Sequence, residues 1–194
     1  LIGTYPEVLN AAGYNPADNY IYALVSNGAN RNHLIRIGNN GAFTDLGLVS
    51  GLLDTKMVSG DFDSAGNYYV KMANAQNSNL LFRVNIATRS ATQITLDSTA
   101  ASADISYNPL DGKFYTIEAA LGLLEYSDNG TTGTVNSYPL GGTPINWGAG
   151  ATFYSNGYLF GYENSSGNIA KVNLSTRNVV QTIQASSGLA SNDG

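Results

Sequence analysis

The sequence predicts an all-β fold, a β-propeller of four complete four-stranded blades with fragments of a fifth. A stretch near the start, "GYNPADNYIYAL" from Gly13 to Leu24, returns as "SYNPLDGKFYTI" from Ser106 to Ile117. Weaker copies at 60–72 and 150–162 fill the intervals, so the chain repeats itself every ~46 residues. The copies are rich in aromatic and β-branched residues, and no stretch shows the 3.6-residue periodicity of a helix.

Four short strands can be laid out in order within each repeat. The innermost is built of small residues and ends in an aromatic: "NAAGY" to Tyr14, "SGDF" to Phe62, "ADISY" to Tyr107 and "GATF" to Phe153. Small side chains suit strands that crowd around a central axis. A turn rich in Asn, Asp, Gly or Pro follows, because these residues close local side-chain bonds or accept positive φ. In the loop at 61–69 this gives Asp63 an Asx-type bond and Gly66 the positive φ. The second strands align as "NYIYALV" (19–25), "NYYVKMA" (67–73), "GKFYTIE" (112–118) and "GYLFGYE" (157–163). The third align as "HLIRIG" (33–38), "LLFRVN" (80–85), "GLLEYS" (122–127) and "NIAKVN" (168–173). Each of these carries one charge at the same place, Arg36, Arg83, Glu125 or Lys171, which reads as an outward-facing position at period two. The closing strands are "FTDLGLV" (43–49), "ATQITLD" (91–97), "TVNSYPL" (134–140) and "VVQTIQA" (179–185). A β-sandwich would also supply many short strands, but not four superimposable units.

The whole chain, 1–194, reads as a single propeller domain with repeats at about 10–53, 57–99, 102–144 and 146–189. Residues 1–9 match the tail of a closing strand and 190–194 the lead-in to another inner strand, so both belong to an incomplete blade. A truncated five-bladed ring, a four-bladed ring with trimmed tails, and a blade completed by another chain all fit. In the last case copies pair through edge strands at 1–9 and 186–194, by strand addition.

Only 12% of residues are charged, about half the usual ~25%. The surface is therefore covered mainly by Asn, Ser, Thr and Gly, a composition that points to an extracellular or cell-surface setting. Nine basic against fourteen acidic residues give a net charge of −5, which argues against a nucleic-acid partner. The apolar runs are far shorter than the ~20 residues of a membrane-spanning helix, so membrane insertion is not expected. Cysteine is absent, which removes disulfides and thiolate metal sites.

With "LIGTYP", "HLIRIG", "GDFDSAGNYYV", "ADISYNPLDGKFY" and "SSGLASNDG" in view, the chain resembles a family of uncharacterised propeller-like domains. These recur in large secreted and surface-anchored bacterial proteins, often beside adhesin or immunoglobulin-like modules. The resemblance covers essentially the whole chain. It implies a fold and a cellular setting, and no activity. Family members carry further residues ahead of the "LIGTYP" strand, which implies that those residues supply the rest of the incomplete blade.

Catalytic signatures are missing. The single histidine, His33, has no expected catalytic partner and reads as a surface residue. The loop at 61–69 starts like a calcium loop, yet Ala65 and Met72 stand where oxygen ligands are required. We therefore expect no catalytic residue, no metal ligand and no cofactor, with a turn-bound structural calcium as the weak exception. The weak binding candidates are Asp61 and Asp104 at the channel mouth, with Asn146 and Trp147 on the same rim, where a ring beside amides suits sugar or peptide stacking. For Trp147 a place wedged between blades is the competing reading. The expected function is a non-catalytic binding, adhesion or spacer module with a glycan or peptide ligand. The alternatives are a structural subunit that assembles by blade completion and, less favoured, an enzyme acting on carbohydrate or lactone.

Overall fold

Each repeat folds as a four-stranded antiparallel meander, since its connections are short and each strand alternates between two faces. The computed structural model describes residues 4–72, 78–185 and 188. Blade 1 contains β1 (Leu9–Asn15), β2 (Tyr20–Val25), β3 (His33–Ile37) and β4 (Phe43–Leu48). Blade 2 contains β5 (Ser59–Phe62), β6 (Tyr68–Lys71), β7 (Leu80–Asn85) and β8 (Ser90–Leu96). Blade 3 contains β9 (Ser106–Asn108), β10 (Lys113–Glu118), β11 (Gly122–Asp128) and β12 (Thr132–Tyr138). After the short β13 (Gly141–Gly142), blade 4 contains β14 (Ala151–Ser155), β15 (Tyr158–Tyr162), β16 (Asn168–Asn173) and β17 (Asn178–Gln184). Every element among the described residues is a strand.

One device joins the blades at their outer edges. The segment leaving each outer strand pairs in parallel with the start of the next outer strand. Ser50 meets Ser90, Thr95 meets Thr132, and Gly141 meets Asn178. The middle pairing merges blades 2 and 3 into one eight-stranded sheet.

The faces between blades hold the core. Each blade has a forward face toward the next blade and a backward face toward the previous one. At the first junction Tyr22, Leu24 and Leu34 meet Phe62, Tyr68 and Val70. Tyr69, Leu81 and Ile94 meet Phe114, Leu124 and Tyr126 at the second, and Tyr115, Ile117 and Leu123 meet Leu159, Ala170 and Val172 at the third. Each large side chain buried there is worth about 1.5–3 kcal/mol.

Strand pairing corrects the repeat alignment in two places. Tyr22 lies opposite Arg36, Tyr69 opposite Arg83, Tyr115 opposite Glu125 and Phe160 opposite Lys171. The second repeat therefore sits one residue out of the register read from sequence, because Tyr68 and Tyr69 present equivalent rings to an alignment. Likewise the inner aromatics opposite Ile21, Tyr68, Phe114 and Leu159 are Tyr14, Phe62, Tyr107 and Tyr154, so Tyr154 rather than Phe153 is the fourth. The charged slot is not outward-facing. It lies on the forward face beside the aromatic, and Arg83 reaches across to Asp128 of blade 3.

The duplicated turn has a shared physical basis. In "NPADNYIY" the Asn15 Oδ1 accepts the Ala17 amide at 3.0 Å, and the Tyr22 hydroxyl donates to Asp18 at 2.7 Å. In "NPLDGKFY" Asn108 accepts the Leu110 amide at 3.1 Å, and Tyr115 donates to Asp111 at 2.7 Å. Asn19 and Gly112 take the positive φ values, +62° and +74°. In the loop at 61–69, Asp63 accepts the amides of Ala65 and Asn67, each at 2.9 Å, and Gly66 has φ +81°. That is the Asx-type turn expected from the sequence.

Of residues 1–9 and 190–194, assigned to an incomplete blade, 1–3 and 190–194 lie outside the described residues, as do 186, 187 and 189 of the expected edge strand. Of the remainder, Tyr5 packs 5.3 Å from Phe43 and the Val8 carbonyl accepts the Ser26 amide.

Candidate functional site

The four inner strands converge on a cleft of about 320 Å³. Asp61 and Asp104 line it, with Tyr14, Tyr107, Phe153 and Tyr154 around them. Tyr14 and Phe153 are each 52% exposed, so the cleft offers open ring faces.

Its two carboxylates are engaged with backbone. Asp61 accepts its neighbour's amide, Phe62 N, at 2.8 Å and the amide of Tyr107 in blade 3 at 2.8 Å. Asp104 accepts Ile105 N at 2.9 Å, then Thr152 N and Oγ1 of blade 4 at 2.6 and 3.2 Å. Beside it the Ser106 hydroxyl donates to Thr152 Oγ1 at 3.0 Å. Each Asp thus satisfies an inner-strand amide of the following blade. At the first junction the device differs. Gly13 and Gly60 let β1 and β5 approach directly, and the Tyr68 hydroxyl donates to the Ala11 carbonyl.

Burial pushes the Asp61 carboxyl up to about 6, against the lowering pull of the Tyr107 and Phe62 amides. An unfolded carboxyl ionises near pH 3.9, so between about pH 4 and 6 the native state binds more protons than the unfolded state. Asp61 therefore makes stability fall as pH rises through that window. The Asp61→Asn variant keeps an acceptor oxygen but cannot ionise. In urea unfolding from pH 4 to 7, wild type is expected to lose about 1–2 kcal/mol relative to this variant. A pH-independent difference would contradict the assignment.

The predicted rim residues separate. Asn146 is exposed, while Trp147 packs against the third core cluster between blades 3 and 4. Trp147 lines other depressions, with Pro139 and Leu140 on one side and Asn168 and Ile183 on the other. It does not share the cleft of Asp61 and Asp104. That is the wedged placement, and it corrects the expectation of one rim.

Other ionisable groups are also held by the fold. His33 Nδ1 pairs with Asp45 at 3.0 Å. Glu125 is 6% exposed and takes bonds from Lys113 at 2.7 Å, Tyr115 at 2.9 Å and Asn136 at 3.1 Å. Burial raises its carboxyl, but those bonds outweigh it and hold the group below the usual range. Lys71 is fully buried, donates to the Ser78 carbonyl, and is pushed down to about 8 by desolvation. Among the described residues, no three His, Cys, Asp or Glu side chains group so as to hold a metal. No helix there is long and apolar enough to cross a membrane.

A family model described as a repeat of unknown function, DUF6923, matches residues 2–194. The chain belongs to this family. No curated protein matches the DUF6923 chain. Solved structures do, at identities that speak for fold alone. A Bacteroides thetaiotaomicron protein of unknown function is 13% identical with a TM-score of 0.68, covering 93% of this chain and 48% of its own. Virginiamycin B lyase from Staphylococcus aureus is 14% identical with a TM-score of 0.59, covering 89% and 54%. A β-propeller domain from Myceliophteria thermophila is 9% identical with a TM-score of 0.60, covering 97% and 59%. The DUF6923 repeat is thus an all-β, propeller-like chain that spans about half the length of these matches.

Proposed function

We propose that the chain is a non-catalytic propeller module, four blades and part of a fifth, that binds a glycan or peptide in its axial cleft. The observation that carries this is the division of labour in that cleft. Its carboxylates are tied to backbone amides, whereas Tyr14 and Phe153 present half-exposed rings. Exposed aromatic faces stack on sugar rings and on peptide side chains without needing a charged ligand. A surface poor in charge and rich in Asn, Ser, Thr and Gly supports an extracellular setting, as a recognition or spacer unit of a surface protein.

Glycan and peptide arrays test this. Binding is expected to fall at least tenfold in Tyr14→Ala and in Phe153→Ala, and to persist in Trp147→Ala. No hits on either array, or hits indifferent to both cleft variants, would contradict the reading.

A further inference from the structure

Stacking on an open ring is indifferent to the charge of what stacks, but the axial cleft is not neutral. Among the described residues that line it, Asp61 and Asp104 are the charged ones, and no Lys, Arg or His stands with them. Asp61 is partly exposed and Asp104 is buried. Negative charge in a concave site with apolar walls acts at low effective dielectric, and its field is focused on whatever enters. The cleft therefore favours a positively charged group.

The hydrogen bonds narrow the kind of cation. Both oxygens of each carboxylate already accept protein donors. At Asp61 these are the Phe62 and Tyr107 amides, and at Asp104 the Ile105 and Thr152 amides and the Thr152 hydroxyl. The Ser106 hydroxyl is directed to Thr152. The ring hydroxyls are engaged as well: Tyr14 donates to Asn19 at 2.6 Å, and Tyr154 accepts the Gly157 amide at 2.9 Å. A primary ammonium brings three N–H donors, each of which needs an acceptor once water is stripped away. A quaternary ammonium brings none, and needs only negative charge and the π faces of aromatic rings.

Those faces are present and held in place. Tyr14, Tyr107, Phe153 and Tyr154 all line the cleft, and each is at least partly exposed. Phe153 is backed by Phe160, stacked with centroids 4.7 Å apart, and Tyr107 by Phe114 at 5.1 Å. Rings fixed before the ligand arrives spare the entropy of ordering them. Neighbouring rings of blade 4 already hold a cation in this way: the Lys171 Nζ lies 4.1 Å from the Tyr158 centroid, though Lys171 does not line the cleft.

We propose that the group the cleft takes is a quaternary ammonium, of the kind carried by choline or by a trimethylated lysine, held by the four rings in the field of Asp61 and Asp104. This rests on the ligand reading above and narrows it to the charged group that such a ligand inserts.

The test is titration of the isotope-labelled chain with choline, followed by the NMR shifts of the Tyr107 and Thr152 amides, which bond to the two carboxylates. Two companions separate the contributions. The alcohol 3,3-dimethylbutanol has the shape of choline without its charge, and ethanolamine has the charge with N–H donors. Choline is expected to bind roughly tenfold more tightly than either. A short peptide carrying trimethyllysine, titrated beside choline, tells the two sources apart, since the tighter binder names the source. Asp61→Asn keeps an acceptor oxygen and loses the charge, and Phe153→Leu keeps apolar bulk and loses the ring. Each should weaken choline roughly threefold or more. The comparison among ligands uses the unaltered chain, so it does not depend on a variant folding. Equal affinity for choline and the neutral alcohol, or for choline and ethanolamine, would overturn the proposal. So would choline binding that both variants leave untouched. Failure of choline to bind, with array hits still lost in Tyr14→Ala, would remove this inference and leave the ligand reading standing; silent arrays as well would remove both.

Discussion

Replacing Asp104 by Ala is expected to lower stability by about 3–4 kcal/mol, and to do so unevenly along the chain. The side chain is 2% exposed, and its two oxygens serve the amides of Ile105 and Thr152 and the Thr152 hydroxyl. Truncation leaves buried donors with no acceptor, at about 1–3 kcal/mol each. One of these amides belongs to the inner strand of blade 4, whose other links to blade 3 include the Ser106–Thr152 bond, the Ala149–Ile117 backbone bond, the third core and the β13–β17 pairing. In arrays where each unit touches only its neighbours, weakening one junction uncouples the units it joins. Urea unfolding should therefore broaden or split, with blade 4 melting first. Asp104→Asn retains an acceptor for the Thr152 amide and should recover about half the loss. A single sharp transition within ~1 kcal/mol of wild type would remove Asp104 from the account.

Gly60→Ala is the second large effect, about 3 kcal/mol of destabilisation. The backbone of Gly60 is not in the left-handed region, so the cost is purely steric. An added Cβ would lie 2.4 Å from the Ala11 carbonyl oxygen and 3.0 Å from the Tyr68 ring. Neither neighbour is free to move. Ala11 belongs to β1 and its carbonyl also accepts the Tyr68 hydroxyl, while the Tyr68 ring is stacked on Phe62 at 4.7 Å. Overpacking of this kind forces backbone shifts worth typically 1–3 kcal/mol. By contrast Gly157→Ala meets nothing within 4 Å and carries only the strain of φ +83°, so it should cost less than half as much. Equal midpoints for the two variants in thermal melts would refute the close β1–β5 approach.

How much of this could be read beforehand depends on what each repeat shares. The four-stranded unit, its turns and the all-β class were legible, since Asn15, Asp63 and Asn108 mark turns by chemistry that acts within a few residues. The register of the second repeat was not, because adjacent tyrosines at 68 and 69 align equally well and only pairing with Arg83 distinguishes them. The roles of Asp61 and Asp104 were hidden for another reason. Their partners, Tyr107 N and Thr152 N, are backbone atoms nearly fifty residues away, and backbone leaves no mark in sequence. Position near an inner strand alone does not distinguish a carboxylate facing a ligand from one bonded to the next strand. The charged slot at Arg36, Arg83, Glu125 and Lys171 misled because period two says that a residue changes face, not which face meets a neighbouring blade. Trp147 offered a ring beside amides, but blade-to-blade packing selects the same residue type.

Amide hydrogen exchange at Tyr107 and Thr152 tests the central claim, that Asp61 and Asp104 bind successive inner strands together. Both amides belong to inner strands, and in the structure each is accepted by a carboxylate of the preceding blade. The account predicts protection for both comparable to that of the antiparallel ladder amides, with Thr152 alone losing it in Asp104→Ala. Exchange of Tyr107 and Thr152 at the rate of exposed loop amides in the wild-type protein would contradict it.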